Sequence, residues 1–158
     1  MTTGADVRQI KDVVELLQAS ELSEIRYYQI AGVRVERPDG EPVRETGQDL
    51  KVQVGGDANG LETRVLMTVS TEEANLAAEV GALYSFEEPL EIPQPVIAEF
   101  IEKVGVMAVF PFLRESVFTT ATRLGVPAPV IGLLRAGELH VEAPDSEASE
   151  STAGVGGV

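Results

Sequence analysis

AVFPFLRESVFTTATRLGVPAPV, residues 108–130, is the stretch that decides the fold. Apolar residues recur in it every three or four positions, which is the spacing of one face of an α-helix. Because proline lacks an N–H group and clashes inside a helix, Pro111 predicts that the helix begins near Val109. Gly125 followed by Pro127 predicts its end. The residues expected to face inward are Val109, Phe110, Leu113, Val117, Ala121 and Leu124.

Upstream of this helix, a second helical stripe is expected to end at Gly105, and alternating strands come before it. The stripe consists of Val96, Ile97, Phe100, Ile101 and Val104, and it follows prolines at positions where a helix can start. Between residues 25 and 86, apolar residues alternate with polar ones, which is typical of strands with one buried face. The alternating sets are Ile25, Tyr27, Ala31, Val33 and Val35; Leu50, Val52 and Val54; Thr63, Val65, Met67 and Val69; and Leu76, Ala78, Val80, Ala82, Tyr84 and Phe86. We expect an antiparallel meander, with a surface loop over Arg37–Asp49.

The two ends of the chain have different patterns from the centre. Apolar spacing predicts a helix over Asp6–Ala19, and Asp6 with Gln9 resembles a capping box at its start. Residues 142–158 contain four acids and no base, and we expect them to be disordered. The predicted fold class is α+β: a four-stranded antiparallel sheet followed by two helices, with an extra N-terminal helix and a disordered acidic tail. We divide the chain into a helical extension (1–20), a central domain (21–134) and an acidic, flexible tail (135–158).

Composition excludes several classes of function. The 158 residues have a net charge of −14, so we expect binding neither to nucleic acid nor to anionic membranes. We find no apolar run near the ~18 residues that span a bilayer and no signal peptide, so we predict a cytoplasmic protein. The chain has no Cys and one His, and it lacks nucleotide-binding glycine motifs. We therefore predict no enzyme, no cofactor and no metal site.

His140 is the one residue that keeps an alternative open. With Glu138 and Glu142 it would share one face of a strand, which makes a weak metal site or a hydrolase centre conceivable. A solvated strand edge near the terminus is the favoured interpretation.

Surplus apolar residues are the stronger lead to function. All eight aromatic residues lie between Tyr27 and Phe118, and Val106, Phe112 and Phe118 fall outside the inward helical stripe. Such residues form an interface between copies of the chain, or a groove that binds other apolar chains. Periodicity does not distinguish these two possibilities.

The helix start Phe110-Pro-Phe-Leu-Arg-Glu115 resembles that of the SecB export-chaperone family. Glu79-Val-Gly-Ala-Leu-Tyr84 resembles the family's fourth strand, and Val35-Glu-Arg-Pro38 the end of its first. The resemblance covers roughly residues 23–134, and it makes the central domain SecB-like. It implies a homotetramer, built as a dimer of dimers, that binds unfolded preproteins without ATP and passes them to the SecA motor.

The resemblance also implies site residues. The client groove would be lined by Leu50, Val52, Val54, Val96, Ile97 and Phe100, to which we add Phe112 because its spacing places it off the inward stripe. Ordinary core packing is the alternative for each of them, and for Val52, Val54 and Phe100 it is favoured at least as much. The acidic face that docks the motor would include Glu36 and Glu79. Gly32 and Ala77 depart from the family at that face, and the family's C-terminal helix is not recognisable after Leu134. Such departures resemble SecB-like chaperones that serve an antitoxin of a toxin–antitoxin system. From another class, an oligomeric scaffold that buries all of its apolar stripes remains an alternative.

Overall fold

The computed structural model describes residues 6–132, and within that range a four-stranded antiparallel sheet carries the fold. Its strands are β2 (Ser20–Arg34), β3 (Gly47–Asp57), β4 (Gly60–Ser70) and β5 (Ala74–Phe86). A short parallel pair joins β1 (Arg8–Gln9) to β6 (Leu90–Glu91). The helices are α1 (Val13–Ala19), α2 (Gln94–Phe100) and α3 (Val106–Leu124), with a π-helical turn over Ile101–Gly105. The predicted fold class, a four-stranded antiparallel sheet followed by two helical segments, is confirmed.

The strand order is β2-β5-β4-β3, so the expected meander is wrong for the first strand. β3, β4 and β5 are consecutive hairpin neighbours, whereas β2 lies beside β5 at the other side. Residues 35–46 make the crossing from one edge of the sheet to the other. The long loop that the sequence predicts is therefore the connection that breaks the meander, and it ends at β3, which begins at Gly47.

β2 changes face part-way along its length. Its register against β5 shifts between Leu22 and Glu24 and again between Tyr27 and Gln29. Tyr27 pairs with the buried Val80, but Val33 pairs with Asn75 and is 64% exposed. The prediction that Ala31 and Val33 share a face with Ile25 and Tyr27 is wrong, because a bulged residue moves every later side chain to the opposite face.

The core lies between the inner sheet face and the helices, where the predicted alternation is confirmed. The fully buried sheet residues include Val65, Met67, Ala78, Val80 and Ala82. From α3, the predicted inward residues Val109, Leu113, Val117 and Ala121 pack against them. Gly125 adopts a left-handed conformation (φ 70°) that ends α3, with Val126 N–H bonded to the Ala121 carbonyl at 3.1 Å.

The helix does not break at Gly105, and it does not start near Val109. α2, the π-helical turn and α3 form one continuous helical rod from Gln94 to Leu124. A Cβ at Gly105 would lie 2.8 Å from Cβ of Thr63, so glycine is needed there because the helix touches β4. Pro111 lies inside α3, where its missing N–H costs one backbone hydrogen bond.

The N-terminal helix is shorter than predicted, because its N-cap residue lies six residues later than the predicted one. Asp12 is the cap: its Oδ1 accepts the Glu15 N–H at 2.8 Å, while the Glu15 carboxylate accepts the Lys11 N–H at 3.2 Å. The predicted start at Asp6 is wrong, because the chain there is extended and pairs with β6. Ile10 and Leu16 are buried in the common core. The predicted flexible tail lies outside the described residues.

Candidate functional site

An open apolar groove of about 820 Å³ lies between the β3–β4 hairpin and the start of α2. Val54 and Leu61 line it from the sheet, and Ile97 and Ile101 line it from the helical rod. The β1 and β6 segments close one side with Val7, Leu90, Glu91 and Ile92. Asp57 and Glu91 are its charged lining residues. The arrangement suits an extended, mostly apolar ligand.

The predicted groove residues differ in how accessible they are. Val54 and Ile97 are half-buried and line the groove, and Leu50 is half-buried further along β3. Val52 and Val96 are buried. Phe100 is completely buried and packs edge-on against Tyr84, with ring centroids 5.0 Å apart. These three residues support the groove wall from within the core.

Phe112 lies at the other edge of the sheet. Its ring meets Tyr27 of β2 edge-on, with centroids 6.3 Å apart, and it is 38% exposed. Leu22 and Ile30 of β2 are also exposed. The structure therefore places Phe112 in a separate apolar patch, which the sequence did not reveal because the bulges in β2 obscure its alternation.

The outward face of α3 carries a further group of apolar side chains. Phe118 is 57% exposed, Met107 is 48% exposed, and Val130 beyond the helix is almost fully exposed. Pro111, Phe118 and residues 128–131 line a cleft of about 420 Å³. Of the three residues predicted to lie off the inward stripe, Phe112 and Phe118 are exposed, whereas Val106 is completely buried, so the prediction is wrong for Val106.

No model of a known protein family matches the chain. It is 36% identical over 137 residues to the SecB-like chaperone SmegB of Mycolicibacterium smegmatis, an alignment that covers 86% of this chain and 90% of that relative. The chain belongs to the SecB-like chaperone family. Its fold is similar to the Mycobacterium tuberculosis SecB-like chaperone Rv1957, solved in complex with a ChAD peptide from the Rv1956 HigA1 antitoxin. There the TM-score is 0.63 at 16% identity, with 77% of this chain and 92% of that one covered.

In this SecB-like chaperone the outer sheet face, where the resemblance placed a motor-docking site, carries a closed polar network. Arg64 forms an ion pair with Glu79, and its guanidinium lies 3.7 Å from the centroid of the Tyr28 ring. The Tyr28 hydroxyl donates to the Glu62 carboxylate, which raises the pKa of Tyr28. Glu62, Arg64 and Glu79 face outward through the alternation of their strands, and the bulge in β2 places Tyr28 on the same face.

The two predicted docking acids are therefore unequal. Glu36 is exposed just beyond the end of β2. The Glu79 side chain is only 13% exposed, and its charge is compensated by Arg64. Of the predicted pair, Glu36 is the exposed carboxylate, and Glu79 is engaged by Arg64.

Two further expectations concern metal binding and membrane-spanning helices. Within residues 6–132, no group of three or more His, Cys, Asp and Glu side chains is arranged to hold a metal ion. None of the helices in that range is both long and apolar enough to span a membrane. His140 lies outside the described residues.

Proposed function

We propose that this chain holds non-native polypeptides in the groove between β3 and α2 without consuming ATP. The open apolar groove of about 820 Å³ carries this proposal. An unfolded client gains roughly 25 cal/mol for each Å² of apolar surface that it removes from water there. Because this gain does not depend on a particular amino-acid sequence, one groove binds different apolar segments. We place this activity in the cytoplasm.

An antitoxin with an apolar segment is the client that we favour. Support comes from the M. tuberculosis fold neighbour, whose structure contains an antitoxin peptide. The ion pair between Glu79 and Arg64 gives further support, since it removes one acid from the face on which SecA docking depends.

Holding unfolded preproteins for export, with delivery to SecA, is the second candidate. The exposed carboxylate of Glu36 favours it. Binding of purified SecA to this protein, lost in Glu36→Gln, would support export service. The absence of SecA binding, together with tight binding of an antitoxin segment, would support the first candidate.

We further propose that the protein assembles as a homotetramer, a dimer of dimers. The exposed apolar side chains on the outward face of α3, Met107 and Phe118, and those on β2, Leu22 and Ile30, support this assembly. Size-exclusion chromatography with light scattering tests it. A mass near the 16.9 kDa of one chain at micromolar concentration would contradict it.

The chaperone proposal is tested by suppression of aggregation of a reduced, unfolded test protein in the absence of ATP. Ile97→Ser should weaken client binding by on the order of 1–3 kcal/mol, because a polar group replaces an apolar wall of the groove. Val33→Ser is the matched control: it removes an exposed apolar side chain from the outer face of the sheet.

Equal activity of Ile97→Ser and the wild type would move the site elsewhere. If the wild type neither binds unfolded chains nor suppresses aggregation, the scaffold alternative explains the protein better. Enzymatic turnover that is lost in His140→Ala would contradict both.

A further inference from the structure

The N-terminal segment, residues 7–10, forms a third wall of the groove. Because the chain is extended there rather than helical, Val7 reaches the groove and lines it together with Leu90 and Ile92. The sheet and the helical rod supply the other two walls. Val7 is 44% exposed, so its side chain is accessible to a bound polypeptide. Residues outside the central domain therefore add apolar surface to the site.

The backbone of the N-terminal segment is fixed by β6 and by the core. The Arg8 N–H donates to the Pro89 carbonyl at 3.1 Å, and the Ile10 N–H donates to the Glu91 carbonyl at 3.0 Å. The Ile10 side chain is buried, which anchors the end of the segment that leads to α1. Two backbone hydrogen bonds and one buried side chain thus hold Val7 at the edge of the groove.

Polar side chains of the same segment reinforce this attachment. Arg8 forms ion pairs with Glu88 at 3.2 Å and with Glu15 of α1 at 3.4 Å. The Gln9 side chain donates from Nε2 to the Glu91 carboxylate at 2.7 Å. Exposed ion pairs are weak individually, but these three contacts tie the segment to β6 and to α1 at once.

β6 is itself bonded to the tip of the β3–β4 hairpin, residues 57–60. The Leu90 N–H donates to the Ala58 carbonyl at 2.9 Å, and the Phe86 N–H donates to the Asn59 carbonyl at 3.0 Å. Ala58 also lines the groove. The N-terminal segment, β6 and the hairpin tip are therefore joined by hydrogen bonds before a client binds. A preformed wall of this kind lowers the ordering cost of binding.

We propose that Val7 contacts the bound polypeptide and that the N-terminal segment is a specificity-determining part of the site. This inference rests on the proposed function. The ligand chemistry is that of an apolar polypeptide segment, whose side chains fill the groove between the hairpin and α2 and extend to Val7. A client that presents a polar side chain at this wall binds less well, because it gains no apolar contact there.

The contact is tested by the affinity for a fluorescently labelled, reduced and carboxymethylated protein. Val7→Ser should weaken binding about three- to tenfold, because it removes the contact of one apolar side chain. Val7→Leu, which restores an apolar wall, should recover most of the lost affinity. Val14→Ser is the matched control: Val14 is 58% exposed on α1 and lies outside the described lining of the groove, so its affinity should equal that of the wild type.

Stability distinguishes a contact with the client from a role in the fold. Val7 is exposed and is not part of the core cluster, so Val7→Ser should keep the circular dichroism spectrum and the urea midpoint of the wild type. A joint loss of affinity and stability would assign Val7 a structural role and overturn the proposal. Equal loss of affinity in Val7→Ser and Val14→Ser would overturn it as well.

Placement is tested with a single fluorophore, since the chain has no Cys. An environment-sensitive dye attached to Val7→Cys should shift its emission to shorter wavelength when the unlabelled carboxymethylated protein binds, because the client removes the dye from water. The same dye on Val14→Cys should not shift. Equal shifts at both positions, or no shift at Val7→Cys, would overturn the proposal.

The two proposals fail in distinguishable ways. If the wild type binds the labelled protein and Val7→Ser binds it equally well, the third wall is refuted and the chaperone function stands. If the wild type does not bind the labelled protein, the proposed function fails, and the role of Val7 fails with it.

Discussion

Gly105→Ala gives a quantitative test of the contact between the helical rod and β4. In an open helix the change stabilises by about 1 kcal/mol, because alanine is the better helix former. Here the new Cβ would lie 2.8 Å from Cβ and 2.9 Å from Cγ2 of Thr63. A Cβ is fixed to its backbone and does not rotate away, so the rod or the strand must shift. Overpacking of this kind costs about 1–3 kcal/mol.

We expect a net loss of up to about 2 kcal/mol in the free energy of unfolding, which is the overpacking cost less the gain in helix propensity. Urea unfolding followed by circular dichroism, at one fixed protein concentration, measures it. Thr63→Ala removes Oγ1 and Cγ2 but keeps Cβ, so in that background Gly105→Ala should cost less than in the wild type, and Thr63→Gly, which removes Cβ as well, should lessen the cost further. Gly47→Ala is the control and should change stability little, because a Cβ there would meet no atom within 4 Å other than those of its chain neighbours among the described residues. A stabilised Gly105→Ala variant would refute the close contact and show that Gly105 is an ordinary position inside the helical rod.

Further outcomes follow from single side chains. Burial raises the pKa of Tyr84, whose hydroxyl has no hydrogen-bond partner among residues 6–132, so the neutral form is favoured in the folded state. The stability of the wild type should therefore fall as the pH rises above the ordinary tyrosine pKa of about 10, and Tyr84→Phe should lessen that fall when urea midpoints at pH 8 and pH 11 are compared. Truncation after Val141 should leave the melting transition nearly unchanged, because the removed residues carry like charges and no apolar period; a large loss would show that they pack. Phe112→Ser should lower the assembled mass, because Phe112 lies in the apolar patch at the β2 edge, whereas Leu50→Ser should reduce aggregation suppression with the assembled mass and circular dichroism retained; the reverse pattern would exchange the two roles.

The sequence predicted the elements well, because burial on one face leaves a periodic trace. The alternation of Thr63 to Val69 and of Leu76 to Phe86 matches the buried faces of β4 and β5. Connectivity left no such trace. Nothing in the alternation of β2 records whether it pairs with β3 or β5, and a loop of residues 35–46 is long enough for either.

The errors have local physical causes. Gly105 has the signature of a helix end, and only the position of Thr63 on a neighbouring strand shows that it is a point of close contact. The bulge at Tyr28 moves the side chains that follow it to the opposite face of the sheet. A period-two sequence pattern does not reveal where such an extra residue lies. The largest error concerns the candidate site, since the sequence analysis placed Phe112 and Val54 in one groove although they lie at opposite edges of the sheet.

The width of the helical rod explains why both edges remain apolar. A helix with its side chains is about 10 Å across, whereas four strands spaced about 4.8 Å apart extend about 14 Å between their outer axes. One rod therefore covers the central strands β5 and β4, where inward residues such as Ala78 and Met67 are fully buried, and it covers β2 only at the end where Gly32 faces Thr120 and Leu124. On the edge strands it leaves Ile30 58% exposed and Val54 half-buried. The β2 edge is bulged, which hinders pairing with an extended chain, while the β3 edge is regular and opens on a groove. That asymmetry is the physical reason why we propose assembly through the β2 side and polypeptide binding at the β3 side.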